Sequence, residues 1–159
     1  MNKNDLDLMY RDVILDHYKN PRGKKDLEKA DAEKIGHNVV CGDRVSILVR
    51  FTGSGVEDVA VNSEGCAISV ASGSMLAELL PGKSFEEIEE IAGVFKDMMS
   101  GKEIPGDIDM GDLDALEGVQ KFPIRIKCAM LAWETLQGLL RKWKENLDSG
   151  SFSVQHEEH

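Results

Sequence analysis

Cysteine is scarce in this chain and unusually placed. Cys41, Cys66 and Cys128 are the only three in 159 residues, and each follows a turn signal or opens a stretch of helical periodicity. Asp43 stands two residues after the first. Three sulfurs and one carboxylate make a complete tetrahedral set for a borderline-soft metal, and zinc sites draw on those ligand types. Ligands so far apart in sequence meet only if each sits at the end of an element on one edge of the domain, so a shared ion would dictate how the elements are arranged. The competing reading buries all three as small core hydrophobes, which suits the turn contexts Gly65-Cys66 and Cys41-Gly42-Asp43 poorly. Separations of 25 and 62 residues match no compact zinc-finger spacing, and a static structural zinc site stays open on spacing alone.

With 42% apolar residues the chain has enough material for one core without disulfide staples. We expect one domain over residues 1–147 and a polar, disordered tail over 148–159. An odd number of cysteines closes no disulfide framework, and in a reducing compartment thiols serve as ligands, nucleophiles or core residues. The net charge of -10 repels phosphate backbones, which argues against a nucleic-acid partner. No apolar run approaches the roughly 20 residues that span a bilayer, and the opening MNKNDLDLMYRD lacks a basic segment followed by an apolar one. A cytoplasmic protein without a membrane partner is the expectation.

Apolar positions from Leu6 to His17 recur at helical spacing and predict an N-terminal helix ending near Asn20-Pro21. A charged, mobile-looking stretch follows to about Ile35. Val45, Ile47, Val49 and Phe51 alternate as in a strand, and Thr52-Gly53-Ser54-Gly55 turns the chain into a second strand over 56–61. Helices are predicted over 67–80, with Cys66 at the start; after the Ser84/Glu87 capping box up to Gly101; briefly around Leu113 to Val119; and from about Ile124 to Leu147. Cys128 lies near the start of that last helix, where the dipole favours a thiolate. His17 reads as a core or surface residue, and His37 lies close enough to Cys41 to reach the site. No Ser/His/Asp arrangement or phosphate loop stands out.

Four segments carry a further signal: Asp16-His17-Tyr18-Lys19-Asn20-Pro21, Cys41-Gly42-Asp43-Arg44, Gly65-Cys66-Ala67-Ile68-Ser69, and Phe122-Pro123-Ile124-Arg125-Ile126-Lys127-Cys128-Ala129. Together they resemble the U-type iron-sulfur cluster assembly proteins, the group that includes IscU, SufU and the NifU N-terminal domain. The likeness is closer to the SufU type, because Lys127 stands where the IscU type has a histidine and because residues 97–120 look like the extra SufU segment. The loop departs from the family pattern at Val39-Val40, where a proline is usual.

The resemblance implies a compact α+β domain, a small antiparallel sheet of about three strands covered by helices, with the N- and C-terminal helices flanking. It also implies a zinc-dependent sulfurtransferase that takes persulfide sulfur from a SufS-type cysteine desulfurase and passes it to downstream iron-sulfur assembly proteins. In that reading Cys41 is the sulfur acceptor, Cys41, Asp43, Cys66 and Cys128 hold the zinc, and Arg125 is a basic residue the site needs. A scaffold that assembles a [2Fe-2S] cluster on the three cysteines is the alternative, and a zinc-stabilised interaction module is a third.

Overall fold

Val45, Ile47 and Val49 alternate with Ser46, Leu48 and Arg50, a period that puts the apolar side chains on one face of a strand. The computed structural model describes residues 3–149, and in it this segment is the central strand of a three-stranded antiparallel sheet. The strands are β1 (Ala32–Asn38), β2 (Asp43–Phe51) and β3 (Val56–Glu64), in the order β1-β2-β3. Ile47 faces Val61 and Val49 faces Val59 across the β2–β3 hairpin, and all four side chains are buried.

Five helical segments complete the domain: α1 (Lys3–Lys19), α2 (Ala67–Leu79), α3 (Phe85–Met99), a 3-10 helix over Gly111–Lys121, and α4 (Pro123–Ser149). The α+β class and the three-stranded sheet agree with expectation. Helices α2 and α4 pack on the sheet, while α1 lies on α2 and the 3-10 helix. The capping box forms as read from the sequence: Ser84 Oγ accepts the Glu87 N–H and the Glu87 carboxylate accepts the Ser84 N–H. The segment around Leu113 winds as 3-10 helix, with Leu113 and Leu116 fully buried. Residues 150–159, most of the expected polar tail, lie outside the described residues. Among the described residues no helix is long and apolar enough to cross a membrane.

One strand escaped the sequence reading. The stretch taken as charged and mobile up to Ile35 contains most of β1, which has no apolar alternation to announce it. The face that β1 turns to α4 is built from Ala32, Lys34, Gly36 and Asn38. A Cβ at Gly36 would come within 2.0 Å of Thr135 Oγ1 on α4, so a residue without a side chain is what lets strand and helix approach. The preceding loop is also tied down, since the Gly23 carbonyl accepts the Val61 N–H at the free edge of β3.

Helix α1 has few apolar anchors, and Tyr10, Val13 and Ile14 are only partly buried. Among the residues of α1 whose burial is described, the fully buried one is His17, with Nδ1 2.7 Å from Ser74 Oγ on α2 and Nε2 2.7 Å from Asp112 Oδ2 at the start of the 3-10 helix. Ser74 Oγ also accepts the Arg22 N–H at 2.8 Å, so the hydroxyl joins α1, α2 and the loop after α1. Ser, His and Asp thus line up across three elements, an arrangement the sequence did not suggest. Ser74 is buried and its hydroxyl is already engaged, so the arrangement is a tie between helices and not a nucleophile. Replacing His17 by Ala empties a fully buried position and takes from buried Ser74 its side-chain partner, while the half-exposed Asp112 turns to water. We expect His17→Ala to lower unfolding stability by about 3 kcal/mol and to increase hydrogen exchange over residues 8–19, with metal content unchanged; denaturant titration and exchange mass spectrometry measure both.

Candidate metal centre

The β1–β2 hairpin brings Asn38 directly opposite Asp43, and residues 39–42 close it. Gly42 takes a left-handed backbone (φ 71°) that lets so short a loop turn. Cys41 is carried on this loop, partly exposed, beside Val39 and Val40, which are 86% and 66% exposed. Asp43, one residue past the turn, is 1% exposed.

The Asp43 carboxylate joins the hairpin to α2. Oδ1 accepts the Cys66 backbone N–H at 2.9 Å, and the Cys66 thiol lies 3.9 Å from Oδ2. Gly65 makes room for it: φ there is 135°, and a Cβ would fall 2.1 Å from Asp43 Oδ1. Cys66 caps α2, its sulfur accepting the Ser69 N–H at 3.5 Å. Cys128 lies in the second turn of α4, fully buried, with its sulfur 3.7 Å from the Ile124 carbonyl and 3.6 Å from Asn38 Nδ2.

Cys41, Asp43 and Cys128 offer ligand atoms that all lie within 4.8 Å of one another, and Cys66 adjoins them through Asp43. The four residues singled out from sequence therefore converge. Burial, followed by the neighbouring Asp43, Cys41 and Cys66 side chains, pushes the Cys128 thiol well above the usual cysteine range. Arg125, exposed and one turn before Cys128 on α4, has its guanidinium held above its ordinary pKa by the Cys128 sulfur beside it and then by the charge of a Cys66 thiolate. Lys127 is exposed.

Among the described residues, no Lys, Arg or His side chain pairs with Asp43. A buried carboxylate beside three thiols needs a cation to offset its charge, and the mix of soft sulfurs with one hard oxygen suits a thiophilic divalent ion. His37 is not among the groups that meet here. Strand alternation turns it to the face of β1 opposite Asn38, and its Nε2 is buried without a hydrogen-bond partner. The residue that does reach the centre is Asn38, which sequence reasoning passed over. The signal that points to it is the hairpin register, legible only once β1 is known. A second group of metal-capable side chains, His17, Glu78 and Asp112, lies elsewhere, with both ring nitrogens of His17 already partnered.

The family model described as NifU-like N terminal domain matches residues 9–146. The chain belongs to this family. It is 47% identical to a Bacillus subtilis protein named zinc-dependent sulfurtransferase SufU, over 84% of this chain and 90% of that one. It is 39% identical to the iron-sulfur cluster assembly scaffold protein IscU of Streptococcus pyogenes, over 86% of each. A crystal structure from Fervidobacterium islandicum, described as a candidate cluster assembly scaffold of the SUF system, superimposes with a TM-score of 0.78 at 33% identity, covering 84% of this chain and 97% of that one. The resemblance read from the four sequence segments is thus confirmed.

Because the thiolate is the ligand and burial keeps Cys128 protonated, loading must expel protons. We expect zinc affinity, measured by chelator competition, to rise steadily from about pH 6 to pH 8, with proton release on loading in lightly buffered solution. Affinity flat across that range would mean that Cys128 does not bind the ion as a thiolate.

Proposed function

We propose that this chain is a zinc-dependent sulfurtransferase: it accepts persulfide sulfur from a SufS-type cysteine desulfurase and hands it to downstream iron-sulfur assembly proteins in the cytoplasm. The observation that carries this reading is an asymmetry among the four convergent residues. Asp43 is held by the Cys66 N–H, Cys66 by the Ser69 N–H, and Cys128 by burial within α4 and by Asn38. Among the described residues no N–H donor is aimed at the Cys41 sulfur, which rides on an exposed loop beside a left-handed glycine. Three residues are built to stay and one to leave.

Zinc held by Cys41, Asp43, Cys66 and Cys128 would keep the thiols deprotonated and, having no redox chemistry of its own, would leave the incoming sulfur intact. The Cys41 thiolate attacks the outer sulfur of the donor persulfide, R–S–SH; the new S–S bond forms as the old one breaks, giving Cys41–S–SH and the donor thiolate R–S⁻. Arg125 faces the cysteines and offsets the net negative charge of four anionic ligands around a dication. The surroundings suit a protein donor: Val39 and Val40 on the hairpin, and Phe122 and Ile124 at the start of α4, are all at least 60% exposed, an apolar rim that a partner would cover. The 47% identity to the protein named zinc-dependent sulfurtransferase supports the assignment, as does Lys127 in the place of histidine.

The test is native mass spectrometry of the anaerobic protein before and after exposure to desulfurase, cysteine and ferrous iron. Retained zinc with one added sulfur on Cys41 is expected, and Cys41→Ser should lose the added sulfur. Arg125→Ala should lower transfer and zinc retention by about tenfold. Zinc displaced by a mass of two irons and two sulfides would instead make the chain a [2Fe-2S] scaffold. Unaltered sulfur uptake by Cys41→Ser would end the assignment of the acceptor.

A further inference from the structure

Asn38 closes β1 directly opposite Asp43, and its side-chain amide is shared between two of the convergent residues. Nδ2 lies 3.4 Å from Asp43 Oδ2 and 3.6 Å from Cys128 Sγ. An amide nitrogen carries two protons, one for each acceptor. Given the zinc site and the sulfur acceptor of the preceding subsection, we propose that Asn38 is a positioning and selectivity residue: by donating to both Asp43 and Cys128 it fixes them as permanent ligands and makes Cys41 the sulfur that reacts.

The chemistry of the amide suits this task. It is neutral, so it adds no positive charge to compete with a bound cation, as a lysine in its place would. It is a donor, so it strengthens toward the ionised forms of both neighbours, which are the forms that bind metal. Groups that hydrogen-bond to ligands in this way orient them, and their loss costs affinity. A thiolate that accepts an N–H also has part of its lone-pair density engaged and is a poorer nucleophile. Cys66 has the Ser69 N–H for this purpose and Cys128 has Asn38. Cys41 has no such donor among the described residues, so attack on a persulfide falls to it.

Asn38→Ala and the isosteric Asn38→Asp are compared with the native protein, each loaded with zinc. The Asp variant keeps the shape and turn-forming habit of Asn but replaces both donors with acceptors, so it separates lost hydrogen bonds from a disturbed hairpin and decides the matter if the Ala variant misfolds. Two readouts apart from activity are used: the rate at which a chelator extracts zinc, and the positions alkylated by iodoacetamide, mapped by mass spectrometry. The native protein should be alkylated first at Cys41, with Cys66 and Cys128 spared. Both variants should lose zinc about tenfold faster, the Asp variant fastest because a second carboxylate then faces Asp43, and both should show label on Cys128. The melting temperature of the metal-free variants should stay near native, since the role concerns the ligands and not the hairpin. Extraction within about twofold of native, with label still confined to Cys41, would overturn the proposal. Sulfur transfer by Cys41 is read separately in the native protein, so its failure would remove the transfer reading while leaving the effect of Asn38 on metal and labelling to stand or fall by itself.

Discussion

The buried carboxylate of Asp43 is the joint on which the centre depends. It occupies the first position of the central strand, it accepts the N–H that opens α2, and it lies against the only two residues, Gly65 and Cys66, through which β3 passes into that helix. Strand β2 is fixed by the apolar pairs it makes with β3, and α2 is fixed by burial of Ser69 through Ala77. Asp43 ties those two rigid bodies together at the edge where the sulfurs gather. Among the described residues no basic side chain pairs with this carboxylate, and a bound cation would complete its charge balance.

Rigidity at this edge is uneven, and the unevenness has a physical origin. Cys66 and Cys128 belong to helices that are packed into the core through Met75, Leu76, Trp133 and Leu136, all fully buried. Cys41 belongs to a loop that buries almost nothing, since its neighbours Val39 and Val40 point to solvent. A centre assembled from two core-mounted thiols, a core-mounted carboxylate and one loop-mounted thiol can change its fourth contact without repacking the domain.

Much of this was legible in the sequence. The alternation of Val45, Ile47 and Val49, the Ser84/Glu87 capping box and the small residues after Cys66 each reflect a local rule that tertiary packing left in force. The convergence of Cys41, Asp43, Cys66 and Cys128 was anticipated because each sits at the end of an element. What escaped was non-local. Strand β1 has glycine where a strand would show a β-branched residue, since Thr135 of another element occupies that space. The approach of Asn38 to Cys128 spans 90 residues, and no periodicity encodes it. The pairing of His17 with Ser74 and Asp112 likewise depends on three elements meeting; its place on the apolar face of the first helix allowed for a core position but did not name these partners.

The place of Cys128 on α4 bears on the order of events during synthesis. Chains emerge from their N-terminal end and fold as they appear, so the hairpin with Cys41 and Asp43, and the cap at Cys66, leave the ribosome while residue 128 of 159 is still to come. At that stage the nascent chain offers an incomplete half-shell, without the buried thiol of Cys128. The centre closes only when α4 docks and Ser72 Oγ meets the Ala129 carbonyl at 2.6 Å, one residue from Cys128. An ion shared by all four residues would therefore be bound only after the last helix is in place.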